Sequence, residues 1–299
     1  MSVQELRARI AKLDTEIDVQ RELLKKLECD KSLAQRQLNN VLDPVARLPL
    51  EISSEIFLQS LALFPRHGVQ HVPMLLLSIC NAWTNIALST PLLWTAIQIN
   101  FPCARGLKNI LSVWLERASS WPLSISLQVE GDVDEGVVAI IRRHAHQLKS
   151  LELLHEMWRE GEDIWDGAGL GPLPSLEALT IRSDSRWSLS HYHTLELLRL
   201  TPNLIECSIP AANILIDDDI SIVEKVVLPK LRRLMFGEPE KYPVGGQELL
   251  ERLSLPNLEA LGIYASHGDL LAFLQESPPP LLELILRIRH GAMDFVALA

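Results

Sequence analysis

Residues able to do chemistry are sparse in this chain, and their spacing assembles none of the common reaction centres. Two histidine pairs, His144-Ala145-His146 and His191-Tyr192-His193, stand without a nearby third donor. A protein metal site needs three or four converging ligands, so both pairs read as solvated helix histidines. The run Gly167-Ala168-Gly169-Leu170-Gly171 is rich in glycine, but it lacks the strand–loop–helix context in which backbone amides cradle a phosphate. Asp217-Asp218-Asp219 reads as a solvated cap for a helix starting near Ser221, because carboxylates accept hydrogen bonds from the free amides of a helix start. Neither G-x-S-x-G nor HExxH occurs. No catalytic residue, metal or cofactor is therefore expected, and the function is to be sought in binding.

Bulk properties narrow the class of partner. The 299 residues suffice for two domains and an appendage, and 47% hydrophobic against 22% charged residues is an ordinary globular balance. The net charge of −10 is unevenly placed. Residues 1–120 carry 13 basic and 11 acidic side chains, and residues 121–299 carry 15 and 27. An acidic C-terminal half argues against nucleic acid, whose phosphates need a basic face. No apolar run approaches the roughly 20 residues of a membrane span, and the charged N-terminus does not read as a signal peptide. Cys29, Cys80, Cys103 and Cys207 lie far apart with no CxxC, the usage expected of reduced thiols in a cytoplasmic or nuclear protein.

The first 41 residues carry the clearest local pattern. Val3, Leu6, Ile10, Leu13, Ile17, Leu24, Leu27, Ala34, Leu38 and Val41 recur at alternating steps of three and four, with only Gln20 and Lys31 polar in the series. That spacing keeps one stripe on one face of a helix, the geometry of a coiled coil. No Gly or Pro interrupts it before Pro44. Two partners fit the stripe: a second copy, giving a homodimer through residues 1–41, or the chain's own surface after a fold-back.

Pro44 ends this helix, and a compact three-helix unit is predicted after it. Leu48-Pro49-Leu50-Glu51-Ile52-Ser53-Ser54-Glu55-Ile56-Phe57 begins a helix with Pro49 in its first turn, and Ile52, Ile56 and the Leu58/Leu61 pair form one apolar flank. Leu75 to Trp83 reads as the second helix, and Pro91-Leu92-Leu93-Trp94 as the start of a short third. Such a unit of about fifty residues is too small to be secure without packing on something else. These residues resemble the F-box family over residues 42–100: "LPLEISSEIF" its opening, "LLLSICNAW" its second helix and "IALSTPLLW" its Trp-terminated third. The "ALSTPLLW" variant is similar to F-box proteins of mushroom-forming fungi. The resemblance implies docking to the Skp-type adaptor of a cullin-RING ubiquitin ligase, with Leu48, Pro49, Ile52, Ile56, Cys80 and Trp83 at or just under the interface. Asn81 and Thr84 stand where the family often has basic residues.

The rest of the chain repeats. LxxLxL recurs at Leu148/Leu151/Leu153, Leu176/Leu179/Ile181, Leu204/Cys207/Ile209, Leu231/Leu234/Phe236, Leu258/Leu261/Ile263 and Leu281/Leu284/Leu286, at steps of 28, 28, 27, 27 and 23. Weaker copies begin at Trp94 and Pro122. Helix-like segments lie between them, as in Val137–Arg143 and Glu248–Leu253. A strand and a helix at this period resemble the leucine-rich repeat in its long α/β form. The resemblance implies an α/β solenoid, a curved parallel sheet with outer helices, over residues 101–299. The Asn or Cys usual after the last strand leucine is replaced by Glu156, Asp184, Ala212, Pro239, Ser266 and Arg289, so irregular turns are expected.

Period-two alternation assigns the opposite, concave sheet face. Its larger side chains are Arg182, Arg233, Met235, Tyr264 and Arg287, the residues expected to meet a target protein, since Arg and Tyr often anchor interfaces. Glu152, Glu206 and Glu283 balance its three arginines. A second candidate is the acidic, glycine-rich stretch holding Trp158 and Trp165. Together these readings predict a non-catalytic substrate receptor that joins a target to a Skp-type adaptor and, through it, a cullin. The competing reading is a repeat scaffold, dimerised by its N-terminal helix, in which the F-box-like unit only caps the first repeat.

Overall fold

The computed structural model describes residues 3–155, 171–183, 191–209, 225–236, 246–263, 273–275, 279–286 and 295–298. The chain divides into two compact units. The first holds residues Met1–Leu61 and Gly68–Thr90, and the second Ala62–His67 and Pro91–Ala299.

In the first unit, α1 runs from Val3 to Leu42 as one 40-residue helix, about 60 Å long at 1.5 Å per residue. A 3₁₀ turn at Val45–Arg47 follows, then α2, Leu50–Gln59, which begins directly after Pro49. The predicted second helix is instead two: α3, Leu76–Ile79, and α4, Asn81–Leu88, separated by Cys80 in an extended conformation (φ −159°, ψ 172°). The break has a hydrogen-bond reason. Helix ends leave carbonyls without intrahelical partners, and here α1 supplies them. Arg36 donates to the carbonyls of Leu77 at 2.7 Å and Ser78 at 3.3 Å, and Asn39 to that of Ile79 at 3.1 Å. Thr84 Oγ1 then donates to the Cys80 carbonyl at 3.0 Å in the first turn of α4. The chain can therefore stop one helix and start another with its backbone satisfied.

The core of this unit is small. Phe57 and Cys80 are buried, and Phe57 stacks against Trp83 with ring centroids 4.8 Å apart. The flank predicted on α2 divides: Ile52 and Ile56 are exposed, whereas Leu58 and Leu61 are half-buried. Positions 52 and 56 lie one turn apart on the helix, while 58 falls more than half a turn round from 56.

The second unit is an α/β structure. Among the described residues nine strands form one sheet in the order β1-β2-β3-β4-β5-β7-β9-β10-β11. They are β1 Ala96–Phe101, β2 Leu123–Val129, β3 Leu148–His155, β4 Ala178–Ser183, β5 Glu206–Ile209, β7 Arg233–Phe236, β9 Ala260–Ile263, β10 Glu283–Leu286 and β11 Phe295–Leu298. All neighbours pair parallel except the last two. Short β6, Val226–Val227, and β8, Leu253–Ser254, pair separately. Helices α5 (Leu107–Ala118), α6 (Glu135–Arg143), α7 (His191–Arg199) and α8 (Gly246–Glu251) lie between successive sheet strands in the chain, the order that parallel pairing requires.

Register places like residues in rows. Ile97, Ile125, Leu151, Leu179, Cys207, Leu234 and Leu261 are opposite one another strand by strand, and all are buried. Ahead of four strands the backbone makes the same turn, with the amides of Leu176, Leu204, Leu231 and Leu258 donating to the carbonyls three residues earlier. Asn203 and Asn257 each donate to a proline carbonyl of the preceding turn, Pro174 and Pro229, at 2.7 Å. Their buried leucines thus pack against neighbouring strands, which none could do alone. Trp94, in a 3₁₀ turn at Pro91–Trp94, is buried edge-on against Trp114 at 5.1 Å, with the Arg117 guanidinium 4.4 Å above its ring.

Candidate binding surfaces

The α2 surface is built by a helix whose two faces do different work. Inside, Ser53 and Phe57 are buried, and Ser53 Oγ donates to the carbonyls of Val45 and Pro49 at 3.2 Å. Outside, Leu48, Ile52 and Ile56 are 41, 51 and 46% exposed, with Leu50 beside them at 47%. Residues 48, 52 and 56 are spaced by four, so they stand on one side of the helix and its entry. Pro49 is exposed at the junction, where its fixed φ suits the first turn. Among the described residues this apolar row is exposed on a helix already packed on its inner side, the kind of surface that can meet a partner.

Cys80 and Trp83 are withdrawn from solvent to different degrees. Cys80 is fully buried. Trp83 is half-buried, and its indole N–H donates to the carboxylate of Asp43. The other carboxylate oxygen of Asp43 accepts from the Val45 amide at 2.9 Å, and the Cys80 thiol lies 3.9 Å from the first. Asp43 thereby joins the end of α1 to the start of α4. It was not singled out from the sequence. Its place between a helix end and Pro44 hinted at a capping role, but a partner 40 residues away leaves no local pattern. Thr84 donates to the Leu77 and Cys80 carbonyls. Its hydroxyl serves the chain itself.

The second surface is the sheet face opposite the leucine rows. Arg182, Arg233 and Met235 are on it, at β4 and β7. Tyr264, Arg287 and the Trp158/Trp165 stretch lie outside the described residues, as do Asp217–Asp219 and Gly167–Leu170. Arg182 approaches Glu152 at 3.6 Å, and Ser126 Oγ donates to the other Glu152 oxygen at 3.0 Å. Arg233 approaches Glu283 at 3.9 Å. Met235 lies over Gly262, where a Cβ would stand 2.5 Å from the methionine methyl. The face is thus polar and internally charge-matched, able to present paired guanidinium groups and one thioether beside small residues.

Two of the thiols, Cys103 and Cys207, are placed against reactivity. The Cys103 thiol is pushed up to about 11, by burial first and then by the Asp134 carboxylate, whereas an active thiol needs a lowered pKa. Burial pushes the Cys207 thiol to about 12. His144 Nδ1 is 3.0 Å from the Ile140 carbonyl of its own helix. Among the described residues no group of three or more His, Cys, Asp or Glu is placed to hold a metal, and no helix is long and apolar enough to cross a membrane.

Comparison of the chain with protein-family models, curated proteins and solved structures finds no match.

Proposed function

We propose that the chain is an F-box-type substrate receptor: its first unit docks a Skp-type adaptor, and the sheet face of its second unit, a leucine-rich-repeat solenoid, holds a target protein for ubiquitin transfer by other subunits. The observation that carries this reading is the exposed row Leu48, Ile52 and Ile56, which flanks the buried side of α2 formed by Ser53 and Phe57. The row coincides with the residues that resemble the family's adaptor-binding opening. Burying three such side chains in a partner would contribute several kcal/mol, at roughly 1.5–3 kcal/mol for each fully buried aliphatic group. The in-register leucine rows and the repeated turns at Leu176, Leu204, Leu231 and Leu258 support the repeat assignment. In this reading the receptor works in the cytoplasm or nucleus, and the chain itself performs no chemical step.

The test is a pull-down of purified Skp-type adaptor by the full-length chain, beside Ile52→Asp with Ile56→Asp and beside Leu48→Ala with Pro49→Ala. Both isoleucines face solvent, so the aspartates should leave the circular dichroism unchanged. Binding by the wild type and its loss in both variants is expected. Failure of the wild type to bind, or equal binding by all three, overturns the proposal.

A further inference from the structure

We infer that residues 3–27 of α1 pair with the same residues of a second copy of this chain, as a parallel, in-register, two-stranded coiled coil. The inference is independent of the adaptor reading.

The chain itself uses only one face of α1 near its end. Arg36 and Asn39 hold α3 through its carbonyls, and in the heptad series both project from the side away from the stripe. The stripe is left uncovered: Val3, Ile10, Ile17 and Leu24 are 67, 57, 46 and 56% exposed. Every residue from Val3 to Gln35 is exposed. A fold-back would have covered this face, and α1 instead docks by its opposite one. Helices in water draw most of their stability from packing an apolar face, and this face has nearly four heptads of mostly apolar residues, exposed along their length among the described residues.

The stripe specifies its occupant. With Val3 as position a, the a residues of 3–27 are Val3, Ile10, Ile17 and Leu24 and the d residues Leu6, Leu13, Gln20 and Leu27. β-Branched residues at three of the four a positions, with leucine at three of the four d positions, favour two parallel strands. The flanking charges are complementary to themselves. Arg9 at g faces Asp14 at e of the second copy, and Glu16 at g faces Arg21 at e, each pair occurring twice by symmetry. No g-to-e pairing from Arg9 to Glu28 places like charges together. Gln20 at d fixes orientation. In parallel register it meets its own equivalent, and the two amides can bond. A fully overlapping antiparallel pair would bury it against Ile10 with no partner. Lys31 at a would face its equivalent as a like charge, so the coil ends after Leu27, before the segment that holds α3.

Sedimentation equilibrium of the full-length chain, at tens of micromolar, should give twice its mass of 33.6 kDa. Ile10→Asp with Ile17→Asp should give the single-chain mass with the strand signal in circular dichroism retained. Two charge variants test the pairing. One carries Arg9→Glu and Arg21→Glu, the other Asp14→Lys and Glu16→Lys; each should self-associate about tenfold more weakly or worse, and mixing them should restore a dimer. Leu13→Cys should cross-link under mild oxidation, because position 13 meets itself only in the parallel register. A single-chain mass for the wild type, a trimer, a dimer that survives the aspartates, no recovery on mixing, or a dimer that fails to cross-link through Leu13→Cys would each overturn the inference.

Discussion

The guanidinium of Arg233 on β7 reaches past β9 to the carboxylate of Glu283 on β10, 3.9 Å away. Ala260 stands between them, opposite both in register. The bridge is open only because that position is small, since a longer side chain would fill the space the pair spans. Glu206 is opposite Arg233 on the other side, so in register position 233 is flanked by acids on both sides.

This arrangement sets the outcome of charge reversal. Arg233→Glu puts a third carboxylate in the row, and a urea titration should show a loss of about 1 kcal/mol, smaller at high salt because both groups face solvent. Adding Glu283→Arg should recover part of it. If the two changes simply add, Arg233 and Glu283 are not coupled.

Asp43 offers a stronger test of the first unit. Asp43→Ala leaves the Trp83 indole N–H and the Val45 amide without their acceptor, which should cost about 1–3 kcal/mol in chemical denaturation. Asp43→Asn, whose amide oxygen still accepts, should lose less. Because Trp83 packs on Phe57, its fluorescence should follow the same transition.

A pH dependence is expected at Asp134. It caps α6 by accepting from the amides of Gly136 at 2.8 Å and Val137 at 3.3 Å, and it lies 3.2 Å from Lys108 Nζ. The hydrogen bond from Lys108 foremost, then those amides, holds its carboxyl below the usual aspartate range. A pKa depressed by folding stabilises the native state above the ordinary value, about 3.9, and that gain is lost as pH falls through the depressed one. Wild type should therefore melt above Asp134→Asn at neutral pH, and the gap should close in strong acid. A gap unchanged with pH would sever the link to ionisation.

Thiol labelling should follow burial. Cys29 is exposed, Cys103 half-buried, and Cys80 and Cys207 buried. With the Cys103 and Cys207 thiols at about 11 and about 12, little thiolate is present at pH 8. Maleimide followed by peptide mass spectrometry should find Cys29 modified first, Cys103 slowly, and Cys80 and Cys207 only after denaturant.

Periodic features were legible from the residues alone, because periodicity is a local property. The uninterrupted heptads from Val3 to Val41 demanded a helix, and Val3–Leu42 is one. The alternating leucines demanded strands with one buried face, and the rows through Ile125, Leu151 and Leu179 lie buried as that alternation requires. The flank expected on α2 was legible in part: Ile52 and Ile56 are exposed together, whereas Leu58 and Leu61 are half-buried. What tertiary structure alone decided depends on groups far apart in the chain. Leu75 to Trp83 has the composition of one helix, yet it breaks at Cys80, where side chains from α1 take up the freed carbonyls. Asp43 became the junction of the first unit only once folding brought Trp83 to it. The sequence balances Arg182 and Arg233 in number with acids of the same face, but only strand order set Glu152 and Glu283 within their reach. Nor could the stripe of α1 say which face the chain would cover, because amphipathic spacing marks an apolar side but not what meets it. Docking through Arg36 and Asn39 settled that, leaving the apolar side open to solvent.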